Sequence, residues 1–241
     1  MSLIQKTFSS LPDNTQHYVA NKLLKHNLIT KFPLFQMFQR TLEAFGGDPS
    51  KVNAAFAEAQ NFDDSFFEAW YKLADKTEKE AFKALGEKNP DATPLLFQAA
   101  LYYLVADWNL HDEQKRIAIY KNALHCFDHF RERCKPAIRK VAFPFSTGKI
   151  FGHFRLPENT TEKCPVIIIF QANDSVKEMM VNIEAFALSR GIATFSVDQP
   201  GVGESGLSGN RLNSRKTGKQ FLNLCLDFLE TCATGTNALM I

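Results

Sequence analysis

The sequence predicts an α/β protein. An all-helical N-terminal domain, residues 1–136, precedes residues 137–241, in which an antiparallel hairpin leads into a parallel βαβ unit. Three observations predict this. Apolar residues recur at steps of three or four as far as Cys134, the period of a helix that buries one face. From Arg139 the period falls to two, that of a half-buried strand. From Val166 to Val197, a β-branched run, a helical stretch and a second β-branched run follow within 32 residues.

In the first part, Phe66 to Leu85 is rich in Ala, Glu, Lys and Leu, with Phe67, Trp70, Tyr71, Leu73 and Ala74 at helical spacing. Asp91-Ala92-Thr93-Pro94 is a start signal. Thr93 can cap a helix, and Pro94 suits a first helical position that needs no amide donor. Leu95 to Ala106 is apolar nearly all round and is expected to be buried. From Asp112 to Cys134, Ile117, Tyr120, Leu124, Phe127, Phe130 and Cys134 mark one amphipathic face, and Pro136 is the stop. No internal repeat stands out.

In the second part, Val141, Phe143 and Phe145 alternate over Arg139 to Phe145. Ser146-Thr147-Gly148 is turn chemistry, and Ile150, Phe154 and Leu156 alternate over Lys149 to Leu156. That is a hairpin. Val166 to Phe170 is wholly apolar and reads as a strand buried on both faces, the mark of a parallel sheet. Met179, Ile183, Phe186 and Ala187 define the next helix, with Gly191 behind it as C-cap. Ile192 to Val197 is a second strand ending at Asp198, and a last helix is expected from about Thr217 to Glu230.

Composition narrows the function. With 28 basic and 26 acidic residues the net charge is +2, too small to hold nucleic acid by phosphate neutralisation. The most apolar window, Leu95 to Ala106, is twelve residues with Gln98 inside it, whereas a membrane span needs about 20. Met1 to Lys6 lacks an apolar signal segment, so the expected location is cytoplasmic, away from membranes. Five cysteines, an odd number with no Cys-x-x-Cys, read as free thiols. His125 and His129 flank Cys126, but the bland reading of that trio is core packing rather than a metal site. No metal and no cofactor are expected.

Ligands of parallel sheets bind in crevices at the carboxyl ends of the strands. Two loops lie there. The first, Gln171-Ala172-Asn173-Asp174-Ser175, could present amides to an oxyanion, or be an ordinary turn with Asp174 or Ser175 as helix cap. The second runs from Asp198 to Gly206 and holds Gly201, Gly203 and Gly206 in a formal Gly-x-Gly-x-x-Gly. A dinucleotide fingerprint follows its strand at once and opens a helix. Here Asp198-Gln199-Pro200 intervenes, and Leu207 to Arg211 is polar and breaker-rich rather than helical.

Together, Pro165 to Glu178 and Gly191 to Ser205 resemble the α/β-hydrolase fold. More narrowly, they are similar to the FrsA-like esterases and the 2,6-dihydroxypseudooxynicotine hydrolases, with related fungal polyketide-shortening hydrolases. The likeness rests on Asp198-x-Pro200-Gly201-x-Gly203-x-Ser205, which is fold-wide, and on Asp174-Ser175-x-Lys177-Glu178, which is more particular to this group. Those proteins carry a helical domain before the catalytic one. The resemblance implies an incomplete α/β-hydrolase sheet and hydrolysis of an ester or an activated carbon–carbon bond in a small carbonyl substrate. It also implies oxyanion-hole amides at Ala172 and Asn173, and Asp174, Ser175, Asp198, Gly201 and Gly203 as crevice-loop residues, with Asp198 organising its loop. The family usually has Gly-Gly where Gln171-Ala172 stands, and a side chain there narrows the backbone approach.

Acyl transfer on this fold needs a Ser on a Gly-x-Ser-x-Gly elbow, then an acid, then His. No such elbow occurs in the 241 residues, and no histidine follows His153. Asn237 to Ile241 resembles the start of the nucleophile strand. The expectation is therefore a hydrolase portion truncated before its elbow and inactive alone, whose exposed sheet edge is covered by a second copy or a protein partner. The alternative is a non-catalytic interaction module, a pseudo-hydrolase.

Overall fold

The computed structural model describes residues 33–59, 64–146, 148–158, 163–171, 175–209 and 215–233. The chain divides into two compact units, Met1–Phe130 and Arg131–Ile241.

The helices of the first unit are α1 (Pro33–Phe45), α2 (Pro49–Glu58), α3 (Asp64–Gly86), α4 (Ala92–Ala106) and α5 (Glu113–Arg131), with a 3-10 turn at Asp107–Asn109. Asp48 caps α2: its Oδ1 accepts the amides of Ser50 and Lys51 at 3.0 and 2.9 Å, satisfying donors that have no helical partner. Its own amide donates to the Tyr102 hydroxyl at 2.9 Å, which ties α2 to α4. Trp70 of α3 is fully buried, ringed by Phe56, Phe66 and Tyr102 at 5.1–5.9 Å between centroids. α4 is buried nearly all round, as its composition predicts.

Two boundaries differ from the expected ones. α4 starts at Ala92, with Asp91 rather than Thr93 at the N-cap position and no side-chain cap bond. The Ala92 amide instead donates to the Asn89 carbonyl at 3.1 Å. α5 ends at Arg131, short of Cys134, because Pro136 offers no amide and disfavours helix in the residue before it.

The second unit contains β1 (Arg139–Phe145), β2 (Gly148–Arg155), β3 (Val166–Phe170), a 3-10 turn (Lys177–Met180), α6 (Val181–Leu188), β4 (Ala193–Val197), α7 (Gly203–Leu207) and α8 (Arg215–Ala233). The strands lie in the order β1-β2-β4-β3. β2 pairs antiparallel with β1 and β4, and β3 runs parallel to β4 with Val166 opposite Ala193 and Phe170 opposite Val197. The crossover helix ends at Gly191, whose φ of +74° is the left-handed conformation of a helix C′ residue.

Alternation gives the sheet two unlike faces. One face carries Val141, Phe143, Ile150, Phe154, Phe195 and Val197 and packs on Phe221, Cys225 and Phe228 of α8. The Phe228 ring lies 4.9 Å from both Phe143 and Phe195. Each fully buried phenylalanine contributes about 1.5–3 kcal/mol, so this phenyl layer is the core of the unit. The other face carries Lys140, His153, Arg155, Thr194 and Ser196 under the 3-10 turn and α6. The last four of these sheet residues are buried.

β3 departs from the expectation of a strand buried on both faces. It sits at the edge of the sheet, with β4 as its neighbour among the described residues, and Val166, Ile167 and Phe170 are 36%, 44% and 40% exposed. An apolar run reports what a strand is able to bury, not how many neighbours it has.

Candidate functional site

The carboxyl ends of β3 and β4 lie side by side because the strands are parallel and in register. The loop after β3 returns as the 3-10 turn at Lys177, and the loop after β4 begins at Asp198. Ala172, Asn173 and Asp174 lie outside the described residues. Ser175 is half-buried at the approach to the 3-10 turn.

Asp198 is fully buried. Its Oδ1 accepts the Lys177 amide at 2.9 Å, and its Oδ2 accepts the Lys177 ammonium at 2.9 Å and the Glu204 amide at 3.1 Å. The Asp198 carbonyl accepts the Ser205 hydroxyl at 3.0 Å, and that hydroxyl oxygen accepts the Phe151 amide at 2.9 Å. One aspartate thus joins the end of β4 to the 3-10 turn, to α7 and, through Ser205, to β2. Gln199 adds a further tie, its side-chain amide donating to the Gln171 carbonyl.

Gly203 is required here. Its φ is +50°, and a Cβ at this position would lie 2.3 Å from Asp198 Oδ2. Gly201 is also left-handed, at +97°. The segment after Gly201 is not loop throughout, since α7 forms over Gly203–Leu207. Its N-terminal amide, on Glu204, is already bonded to the protein's own carboxylate at Asp198. The glycine pattern therefore packs against Asp198 rather than opening a free helix terminus to a phosphate.

Lys177 is the centre of the cluster and is fully buried. Besides Asp198, its ammonium donates to Glu178 Oε1 at 2.5 Å. It also lies 2.7 Å from Glu204 Oε2, an ion pair outside hydrogen-bond angles. Lys140 of β1 donates to the other Glu204 oxygen at 2.5 Å. His153 Nε2 of β2 stands 4.0 Å from Glu178 Oε1.

Burial sets the proton affinities. It raises Asp198 against the pull of Lys177. It pushes Glu178 up to about 7, again against Lys177 and helped by the neighbouring Asp198 and Glu204 charges. At Glu204 burial acts upward too, but the Lys177 and Lys140 ammonium groups outweigh it and the carboxyl is held below its usual range. His153 is kept well below the usual imidazole range by burial, then by Lys177 and Lys140, so its ring is neutral at pH 7.

Beside this cluster, Arg155 Nη1 donates to Glu184 Oε2 at 2.9 Å and Nη2 to the Pro136 carbonyl at 3.0 Å. Ser196 donates to the other Glu184 oxygen. In the first unit His125 stacks on Phe82 at 5.3 Å and His129 meets it edge-on at 5.1 Å. Cys126 is buried, and that burial raises its thiol far above the usual range. The five cysteines are free. No helix among the described residues is long and apolar enough to cross a membrane.

Sequence reasoning singled out Asp198, Gly201 and Gly203 but read Lys177 and Glu178 only as part of a motif. Ser205 likewise entered only as the end of a motif, and Lys140, His153 and Glu204 were missed. The available signal was Lys-Glu directly before an apolar helix, paired with an acid at the end of the next strand.

Solved structures share this fold. The crystal structure of 2,6-dihydroxy-pseudo-oxynicotine hydrolase superposes with a TM-score of 0.57 at 24% identity, covering 68% of this chain and 46% of that one. AbyA5 superposes at 0.56 with 20% identity, over 74% and 46%.

Residues 67–215 match the family model described as Esterase FrsA-like, and the chain belongs to that family. Hydrolase LUC6 of Fusarium sp is 30% identical over 176 residues, 68% of this chain and 42% of LUC6. Esterase FrsA of Vibrio vulnificus is 30% identical over 139 residues, 56% of this chain and 32% of the esterase. The 2,6-dihydropseudooxynicotine hydrolase of Paenarthrobacter nicotinovorans is 29% identical over 148 residues, 58% and 38%. The chain spans less than half the length of each of these relatives.

Proposed function

We propose that the chain is the N-terminal portion of a cytoplasmic hydrolase that cleaves an ester or an activated carbon–carbon bond in a small carbonyl substrate. One observation carries this reading. The loops after β3 and β4 are locked together by Lys177 and Asp198 at the carboxyl edge of two parallel strands, where substrates of open α/β sheets bind. Family membership and the hydrolase and esterase names of the relatives support it. In this reading residues 1–136 are the helical domain and residues 137–241 the hydrolase portion. Ala172 and Asn173, which lie outside the described residues, are given the oxyanion-binding role that the family resemblance implies. The nucleophile is not among residues 1–241, which contain no Gly-x-Ser-x-Gly.

p-Nitrophenyl acetate and butyrate test the proposal. The longest product that the gene encodes is expected to release nitrophenolate, and the 241-residue chain to stay at the buffer background. Absence of hydrolysis from both, across a panel of esters and 1,3-diketones, would overturn it.

The same reading has the β3 edge covered by a second copy or a protein partner. Among the described residues no strand pairs with its outer edge, which lies beside exposed Val166, Ile167 and Phe170, and such edges associate. Sedimentation of the isolated chain should show self-association, and Ile167→Lys should shift it towards monomer with a stability change within about 0.5 kcal/mol. A wild-type chain that is monodisperse, monomeric and melts cooperatively would contradict this.

A further inference from the structure

Two polar atoms on the buried face of the sheet have no hydrogen-bond partner among the described residues, and they belong to residues that oppose each other across one strand pair. They are Arg155 Nε on β2 and Thr194 Oγ1 on β4. Arg155 is 1% exposed and Thr194 0%. The register sets Arg155 directly opposite Thr194. Both side chains therefore rise from the same face, with Cβ atoms about 5 Å apart.

The rest of the guanidinium is committed. Nη1 donates to Glu184 Oε2 at 2.9 Å and reaches the Val181 carbonyl at 3.4 Å. Nη2 donates to the Pro136 carbonyl at 3.0 Å and to the Cys134 sulfur at 3.4 Å. Arginine is a donor at all three nitrogens and an acceptor at none, so Nε–H is the donor left over. On β4 the next residue of the same face, Ser196, donates its hydroxyl to Glu184 Oε1. Thr194, two residues earlier, has no such arrangement among the described residues.

A buried donor and a buried acceptor that stay unpaired each lose their hydration on folding without a hydrogen bond to offset it. One small molecule that accepts from the first and donates to the second relieves both.

We propose that the layer between β2, β4 and α6 contains a binding site for a single ordered water, which accepts the Arg155 Nε proton and donates to Thr194 Oγ1. The Glu184 carboxylate, held in the same layer by Arg155 and Ser196, is the third group of the site and takes the other water proton. Two to four polar partners are usual for a buried water. The chemistry of the site selects water over an ion. A cation would meet the guanidinium and an anion the carboxylate, and those two already neutralise each other. Arg155, Glu184, Thr194 and Ser196 are all at most 1% exposed, which suits a ligand of this size.

The bridge holds Arg155 by its remaining nitrogen. The same guanidinium joins β2 to the chain just before β1, at Pro136, and to α6, at Glu184 and Val181. Arg155 is thus a positioning residue for the crossover helix and for the entry to β1, and the water fixes its plane. The site is independent of the hydrolase reading, because none of its groups belongs to the loops at the carboxyl edge.

A crystal structure of the chain in which ordered waters are visible, together with urea midpoints, tests the proposal. A water within hydrogen-bond distance of both Arg155 Nε and Thr194 Oγ1 is expected. Thr194→Val, which exchanges the hydroxyl for a methyl of similar size, should remove that water and lower the urea midpoint, because Nε loses its partner. The sign of the shift separates the alternatives. If Thr194 were simply an unpaired hydroxyl, valine would relieve a buried polar group and leave the midpoint unchanged or raise it. The wild-type structure needs no variant, and Thr194→Ser, which keeps the oxygen, should keep the water, so the test survives a valine variant that fails to fold. A dry site in the wild-type chain, a direct bond from Nε to Oγ1, a water lost in Thr194→Ser or retained in Thr194→Val, or a valine midpoint at or above that of wild type would overturn the proposal.

Discussion

Replacing Lys177 by methionine is expected to destabilise the second unit by about 3–5 kcal/mol, the range for removing one partner of a buried ion pair. The loss is large because three carboxylates share the one ammonium. Methionine fills the space of the side chain but leaves Asp198, Glu178 and Glu204 facing one another in a dry interior. Arginine does little better, because a planar fork cannot face three carboxylates arranged around a point. Urea denaturation followed by near-ultraviolet circular dichroism gives the number. A companion Asp198→Asn change should restore part of the loss, since it removes one of the stranded charges, and the double-mutant cycle should show coupling. A Lys177→Met chain within about 1 kcal/mol of wild type would mean that the cluster is hydrated and contributes little.

The second large effect is expected at Gly203. Alanine there must adopt a φ of +50° and place its Cβ 2.3 Å from Asp198 Oδ2. Asp198 cannot retreat, because Lys177 and the Glu204 amide hold the same oxygen. The expected loss is about 2–4 kcal/mol, combining backbone strain with a broken buried contact. Because α7 starts at Gly203, the change should also release Ser205 from Asp198 and Phe151, visible as faster exchange of the Phe151 amide. Gly201→Ala, at a position whose φ of +97° is also positive, serves as the comparison for conformational strain. Equal losses at the two glycines would show that contact with Asp198 is not what makes Gly203 matter.

Much of the fold was legible because hydrophobic period reports secondary structure directly. β1 over Arg139–Phe145 and β3 over Val166–Phe170 fall where alternation and β-branching place them. Gly191 ends the crossover helix where a left-handed residue was needed. The exposure of β3 was not legible, since the same apolar run suits a central strand and an edge.

The polar layer was hidden for a different reason. Lys140, His153 and Ser196 lie on three strands, and their common face appears only once the register is known. A lysine between Val176 and Glu178 reads as solvated. Its burial follows from the parallel pairing that brings the end of β4 beside the loop after β3. Asp198 was visible because a polar residue ending an apolar strand stands out, whereas Glu204 and Ser205 gain their roles from a five-residue helix too short to leave a period.

Active-site labelling with a fluorophosphonate probe, followed by mapping of the modified serine, bears most directly on the hydrolase account. The longest product of the gene should be labelled on a serine outside residues 1–241, with competition by a p-nitrophenyl ester, and the 241-residue chain should remain unlabelled. A label on a serine within residues 1–241, or a longest product that carries none, would contradict it.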